Sequence, residues 1–384
     1  MIPMKIIKEQ GIKNLYFWLI TIMIVIVSIE GGLRLIVYFA KHYSPNNWDV
    51  IYNNEEWSKD LHREIDEISF FKFAPFYHWE TKEYHGKYVN INSDGMRKTW
   101  NPENKSAQVM DSIYVFGGST IMGTSRDYYT IPSYLSKKLN KTKNNYMVYN
   151  CAGDAYTFPQ EVIRLIVLLN KGHRPRYVIF YDGVNDVYAA YQSGIPGSIQ
   201  NLKDISHIFQ SSRPRLFWEW VCSRIRDKCM LINGLNKLKK EIVALYRPEV
   251  SKFDEAAASY DDNHLKILSN NIIESYIRWK DMVDNLSKAY NFDYYCFWQP
   301  VIYTEEKVFP IDSKGDPRLN DKSLAKLYKY TNASLGDKSI HHFWNISNVL
   351  RDKTSACYID WCHITEEGND MVAEKIFKIF KEKN

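Results

Sequence analysis

The first pattern along the chain is a run without charge, Leu15 to Ile29 (LYFWLITIMIVIVSI), continued by EGGLRLIVYFA to Ala40. A spanning helix needs roughly 20 apolar residues, and the uncharged run alone is shorter. Glu30 and Arg34 are four apart, so they can pair on one helix face and lie at headgroup depth, which makes spanning feasible. No small-x-small cleavage site follows the run, which favours an uncleaved anchor over a removed signal peptide. Lys5, Lys8 and Lys13 precede it and, by the positive-inside tendency, keep the N-terminus in the cytoplasm. The start of the chain thus reads as a cytoplasmic segment 1–13 and a single-pass transmembrane anchor 14–40, with the remainder exported.

From 41 to 110 the chain is polar and aromatic, with turn signals at SPNN, NSDG and NPEN, and is expected to form an irregular or β-rich lead-in that packs on the main domain. From 111 onward short apolar runs alternate with amphipathic stretches. Strands are expected at Ser112–Phe116, Tyr146–Tyr149, Tyr177–Tyr181 and Tyr294–Trp298. Helices are expected at Ile131–Leu139, Gln160–Asn170, His264–Tyr290 and Glu366–Lys381. Such alternation predicts an α/β domain over 111–384, with a parallel sheet covered on both faces. Between about 188 and 261 the pattern loosens around GIPGS and SSRPR, which reads as an insertion beside the active-site edge. Its basic amphipathic stretch, Ile232 to Tyr246 with Lys237 to Lys240, reads as a solvated helix face rather than a lipid or glycan contact.

Composition narrows the partners. Net charge is +5, and the basic residues are scattered among acidic ones, so nothing calls for nucleic acid. Aromatic residues make up 15%, a level that suits packed core positions better than it argues for a sugar-facing surface. Six cysteines in an exported chain are compatible with disulfides or with buried thiols, and the Cys222/Cys229 and Cys357/Cys362 spacings lack the pattern of a zinc site. His341 and His342 are adjacent in an extended stretch and point apart, so no metal and no cofactor are expected.

The chemistry sits at the ends of the predicted strands. YVFGGSTIMG places Ser119 at a tight turn after a strand and before a likely helix, where its hydroxyl is exposed and its own N–H can face an oxyanion. Alone, a Gly-Gly-Ser turn is common. Downstream, NCAGDAY places Gly153 in the next strand-to-helix loop, and DGVND places Asn185 in the third, where a side-chain amide can donate to developing negative charge. DWCHITEEG then sets Asp360 three residues before His363, ahead of the last helix. A serine hydroxyl is a poor nucleophile until a neutral imidazole takes its proton, and a carboxylate fixes that imidazole's tautomer. Asp154, Asp182 and Asp186 read as cap or loop-ordering residues.

GGS, a lone Gly, GxND and DxxH in this order resemble the four sequence blocks of the SGNH (GDSL-like) hydrolase superfamily over about Ser112 to Ala373. The first block departs from its best-known form, GDS, in having Gly118. Some membrane-anchored bacterial members are similar in carrying GGST, a Gln-Glu pair (here Gln160 and Glu161) and an E-x-x-x-R end to the anchor. The resemblance implies a flavodoxin-like three-layer α/β/α fold, with Ser119 as nucleophile, His363 as base and Asp360 orienting it. It also implies an oxyanion hole from the N–H groups of Ser119 and Gly153 and the Asn185 side chain.

The expectation is a membrane-anchored serine esterase, its catalytic domain on the exported side, cleaving short acyl esters such as acetate on a cell-envelope glycan through an acyl-serine intermediate. Two alternatives stand beside it: an O-acyltransferase passing the acyl group to a sugar hydroxyl, and a non-catalytic glycan-binding or scaffold protein.

Overall fold

A computed structural model describes residues 4–43, 51–52, 55–68, 71–103, 110–141, 145–210, 260–304, 316–336, 338–351 and 357–384. Cys222, Cys229 and the basic stretch 232–246 lie outside these residues. Two units are distinguished, Met1–Asn46 with Ile205–Ser251, and Asn47–Asp204 with Lys252–Asn384.

The described part of the first unit is dominated by one helix, α1 (Met4–Tyr43), within which Tyr16–Leu35 is long and apolar enough to cross a membrane. Trp18 and Val27 are 61% and 65% exposed, so the apolar surface of the helix meets little protein among the described residues. Arg34 meets Glu30 at 2.8 Å, the i,i+4 pair that the spacing predicts.

The second unit opens with α2 (Glu56–Ile68) and two antiparallel hairpins, β1 (Phe71–Ala74) with β2 (His78–Thr81), and β3 (Tyr84–His85) with β4 (Asn90–Ile91). Five parallel strands follow: β5 (Asp111–Gly117), β6 (Tyr146–Asn150), β7 (Tyr177–Asp182), β8 (Asp293–Trp298) and β9 (Phe343–Asn345). They lie in the order β6-β5-β7-β8-β9. Counting from β5 this is 2-1-3-4-5, the doubly wound flavodoxin-like order. Every residue of β7 is buried, which explains the continuous run YVIFY that precedes Asp182.

Alternation along β7 assigns the two faces. Tyr177 packs on Phe380 of α10 (Glu366–Lys383), which lies beside α4 (Ile131–Leu139) on one face. Phe180 packs on Phe158 of α5 (Phe158–Asn170), and Asp182 accepts a hydrogen bond from Tyr276 of α8 (Asp262–Tyr290) on the other. The second face is completed by α6 (Val184–Ser193) and α9 (Lys322–Gly336). The helix α6 continues past 188, where the sequence pattern loosens, and ends at Gly194 with φ 77°; α7 (Leu202–Gln210) follows.

Two buried arginines tie the lead-in to the loops at the carboxyl ends of the strands. Arg97 pairs with Asp127 at 3.1 Å and donates to the carbonyls of Met122, Gly123 and Ser125. Arg164 donates to Ala152 O on one side and to Asp94 O and Gly95 O on the other. Buried guanidinium groups need such a full set of acceptors, and the curved backbone of the loops supplies it.

Candidate active site

In this strand order the crevice forms between β5 and β7, whose connections leave in opposite directions. Ser119 stands at its mouth, immediately after Gly118. The helix expected behind it is a single turn, α3 (Ser119–Met122), closed by Gly123 N–H on Ser119 O at 2.7 Å. A one-turn helix contributes little aligned dipole. What it offers an anion is the Ser119 N–H, which as the first of the turn has no intrahelical acceptor.

Ser119, His363 and Asp360 form one hydrogen-bonded line. His363 Nε2 lies 2.8 Å from Ser119 Oγ, and His363 Nδ1 lies 2.6 Å from Asp360 Oδ2. Asp360 also builds the loop that carries the imidazole, because its Oδ1 accepts the N–H groups of both Cys362 and His363 at 2.8 Å. Tyr358 and Ile364 pair across the loop, and Thr365 then caps α10 by accepting from Gly368 N. Burial acts to raise the Asp360 pKa, but the His363 charge and these N–H donors outweigh it, leaving the carboxyl well below its usual range. Burial acts to lower the His363 pKa, and the Asp360 carboxylate outweighs that too, so the imidazole is pushed well above the ordinary histidine value.

Asn185 is held by its own amide at both ends. Its Nδ2 donates to Tyr156 O at 2.8 Å, and its Oδ1 accepts from Gln200 Nε2 at 2.7 Å, which fixes which end is the donor and leaves a second Nδ2 hydrogen. That amide lies against Gly118, where an added Cβ would sit 2.0 Å from Nδ2, so in this chain the departure from GDS makes room for Asn185. Gly153 is likewise closed to a side chain by the Tyr156 ring, and its N–H donates to Gly117 O at 3.1 Å. For Gly153 to serve an oxyanion, that bond has to be shared or released. Gln200 and Tyr156 come from segments remote in sequence, and no pattern marks them; Tyr156 is hidden among many aromatic residues.

The remaining acids do other work. Asp186 accepts from Phe158 N and Gly183 N, joining the starts of α5 and α6, and burial pushes its carboxyl up to about 6 against those donors. Asp154 is raised by burial, with His363 and Arg97 acting the other way. Glu161 and Asp182 are 1% and 3% exposed, and Glu161 Oε2 and Asp182 Oδ1 find no donor among the described residues. Burial, then the Asp182 charge, pushes the Glu161 carboxyl well above its usual range, and burial pushes Asp182 up as well.

A carboxyl with a raised folded-state pKa adds stability that is complete below its unfolded value, about 4.3 for glutamate, and that is lost as pH rises through the folded value. Glu161→Gln keeps a donor without the titration. Its melting temperature is therefore expected to fall less between pH 5 and pH 9, on the order of those values, than the unmodified chain's. Parallel melting curves for the two proteins across that range would refute a raised Glu161 carboxyl.

Cys151, Cys296 and Cys362 are buried thiols. His341 and His342 have ring centroids 3.9 Å apart, closer than two side chains that point apart, because His342 has φ 54°. A groove of about 390 Å³ lined by His85, Asn92, Lys98, Asn101 and Tyr149 runs outside β6 and contains none of the three aligned residues.

No family model matches the chain, and no curated protein matches it. Among solved structures it is similar to an acetyl xylan esterase, at 12% identity and TM-score 0.37, covering 70% of this chain and 98% of that one. It is also similar to an extracellular lipase from Streptomyces rimosus, at 10% identity and TM-score 0.37, covering 69% and 99%. A GDSL-like lipase from Bacteroides thetaiotaomicron gives 15% identity and TM-score 0.30, covering 71% and 89%.

Proposed function

We propose that the chain is a serine hydrolase of SGNH type that cleaves acyl esters through an acyl-Ser119 intermediate. The observation that carries this reading is the continuous line from Ser119 Oγ through His363 to Asp360. His363 Nε2 takes the hydroxyl proton as oxygen attacks the ester carbonyl, and the imidazolium is stabilised by Asp360. The proton then passes to the leaving alkoxide, and a water molecule repeats the sequence to free the enzyme. Developing charge on the carbonyl oxygen is met by Ser119 N–H, by the second Nδ2 hydrogen of Asn185 and, once released from Gly117 O, by Gly153 N–H. No metal or cofactor is needed for any of these steps.

The apolar span Tyr16–Leu35 supports a tethered enzyme, and Lys5, Lys8 and Lys13 before it favour a catalytic unit on the exported side. Tethering favours a fixed substrate such as an acylated envelope glycan, and acyl transfer to a sugar hydroxyl is the second reading. Supplying acyl donor and candidate glycan and measuring the ratio of transferred to hydrolysed acyl separates the two. The test of the hydrolase itself is turnover of a short-chain aryl ester by the purified full chain, with labelling of Ser119 by a fluorophosphonate. A chain that neither turns over nor labels is no serine hydrolase.

Asn185→Ala is expected to lower kcat by about 100- to 1000-fold, as loss of one oxyanion donor does, with KM little changed. Because Asn185 also bridges Tyr156 and Gln200, the variant's melting temperature is measured alongside. A kcat within a few-fold of the unmodified enzyme in a folded variant removes Asn185 from the oxyanion hole.

A further inference from the structure

The loop that aims His363 also brings a thiol to it. Cys362 Sγ lies 3.7 Å from His363 Nδ1, the same nitrogen that meets Asp360 Oδ2 at 2.6 Å, and the three ligand atoms lie within 4.8 Å of one another. Thiolate, imidazole and carboxylate are the ligands zinc takes, at about 2.3 Å from sulfur and about 2.0–2.1 Å from nitrogen. Two such bonds at a tetrahedral angle separate sulfur from nitrogen by about 3.5 Å, close to the distance found. The nitrogen–oxygen edge is at hydrogen-bond length, and it widens by on the order of 0.7 Å when a metal replaces the proton between them.

We propose that Asp360, Cys362 and His363 form a site for a thiolate-preferring divalent cation, zinc in class, which switches the serine off. Three protein ligands leave the fourth position to water. The proton balance explains the inhibition. Before binding, neutral His363 carries its proton on Nδ1 and Cys362 carries a thiol proton. The metal takes Nδ1, the sulfur and Asp360 oxygen. The thiol proton leaves to solvent, and the imidazole, to stay neutral, carries its proton on Nε2. One proton is released per metal bound. Nε2 then faces Ser119 Oγ as a donor, and the hydroxyl has lost its base. Asp360 is at once diverted from orienting the ring. The inhibitory consequence rests on the hydrolase reading; the site does not.

The test uses the full chain in detergent with cobalt(II) as spectroscopic probe and zinc as inhibitor. Cobalt is expected to give a sulfur-to-metal charge-transfer band that is lost in both Cys362→Ser and Cys362→Ala. A weakly buffered titration of the unmodified chain, run above the raised His363 value so that the imidazole starts neutral, is expected to release one proton per metal. The half-inhibitory zinc concentration, each protein being referred to its own chelator-treated rate, is expected to rise by on the order of 100-fold when the thiolate ligand is lost. Absence of the band, its persistence in both variants, or zinc sensitivity unchanged by the substitutions overturns the proposal. If no ester is turned over, the hydrolase reading fails alone, and the cobalt band and the proton count still decide the site.

Discussion

Ser119→Ala is expected to lower ester turnover by on the order of 10⁶-fold, the scale seen when the nucleophile of a serine hydrolase is deleted. The size follows from what the hydroxyl does: it supplies the bond-forming atom, and its proton is the one His363 Nε2, 2.8 Å away, is placed to take. Alanine leaves the turn intact, since α3 is held by backbone bonds such as Gly123 N–H to Ser119 O and by the Arg97 contacts beyond it. The variant should therefore melt close to the unmodified chain and still bind substrate. A residual rate above that of water is expected from the oxyanion donors, which act independently of the nucleophile. The check is steady-state hydrolysis of an aryl ester, with fluorophosphonate labelling as a second readout. Turnover retained within tenfold, on the order of experimental carry-over, would leave the serine without a role.

Asp360→Asn should follow at about 10⁴-fold, through the tautomer rather than through geometry. Asparagine can still accept the N–H groups of Cys362 and His363, so the loop keeps its shape. Facing Nδ1, however, it can present an N–H, and the ring then places its proton on Nε2, where it cannot take one from Ser119. The pH profile separates this from simple disruption. In the unmodified enzyme the Asp360 charge holds the His363 pKa well above the ordinary histidine value, against burial. Because only neutral imidazole is a base, kcat/KM rises with pH through that raised value. Without the carboxylate burial prevails, and the acid limb of the residual activity moves to lower pH. An acid limb that stays in place would show that Asp360 does not charge-couple to the base.

Much of this arrangement is legible in the chain because it is local. Asp360 and His363 are three apart in one loop, so a single turn conformation aims both. The strands β5 and β7 are covered on both faces, so they are continuous apolar runs that no helix period disguises. β9 is different: three residues, Phe343–Asn345, carry no period and take their place only by pairing with β8. The buried arginines are equally silent. Arg97 reads as one more basic residue in a polar segment, and what buries it is a set of carbonyls from the turn around Met122 to Ser125, which no local pattern announces. The tethering of Asn185 joins residues 156, 185 and 200, so its donor could be inferred from the sequence while its orientation could not. Gly118, a departure when read in a motif, becomes ordinary once the amide packed against it is seen.

Those buried arginines bear on where a working enzyme can be cut. A fragment begun at 111, where the alternating pattern starts, would lack Arg97 and the Asp94 and Gly95 carbonyls that accept from Arg164. Asp127 would be left as a buried charge with no counterion, and the turn behind Ser119 would lose the donors of three carbonyls. The polar segment before the first strand of the sheet thus holds the loops that position Ser119. A fragment that keeps these contacts begins before Asp94, and any transplant of the loops around Ser119 into another scaffold has to carry those two guanidinium groups with it.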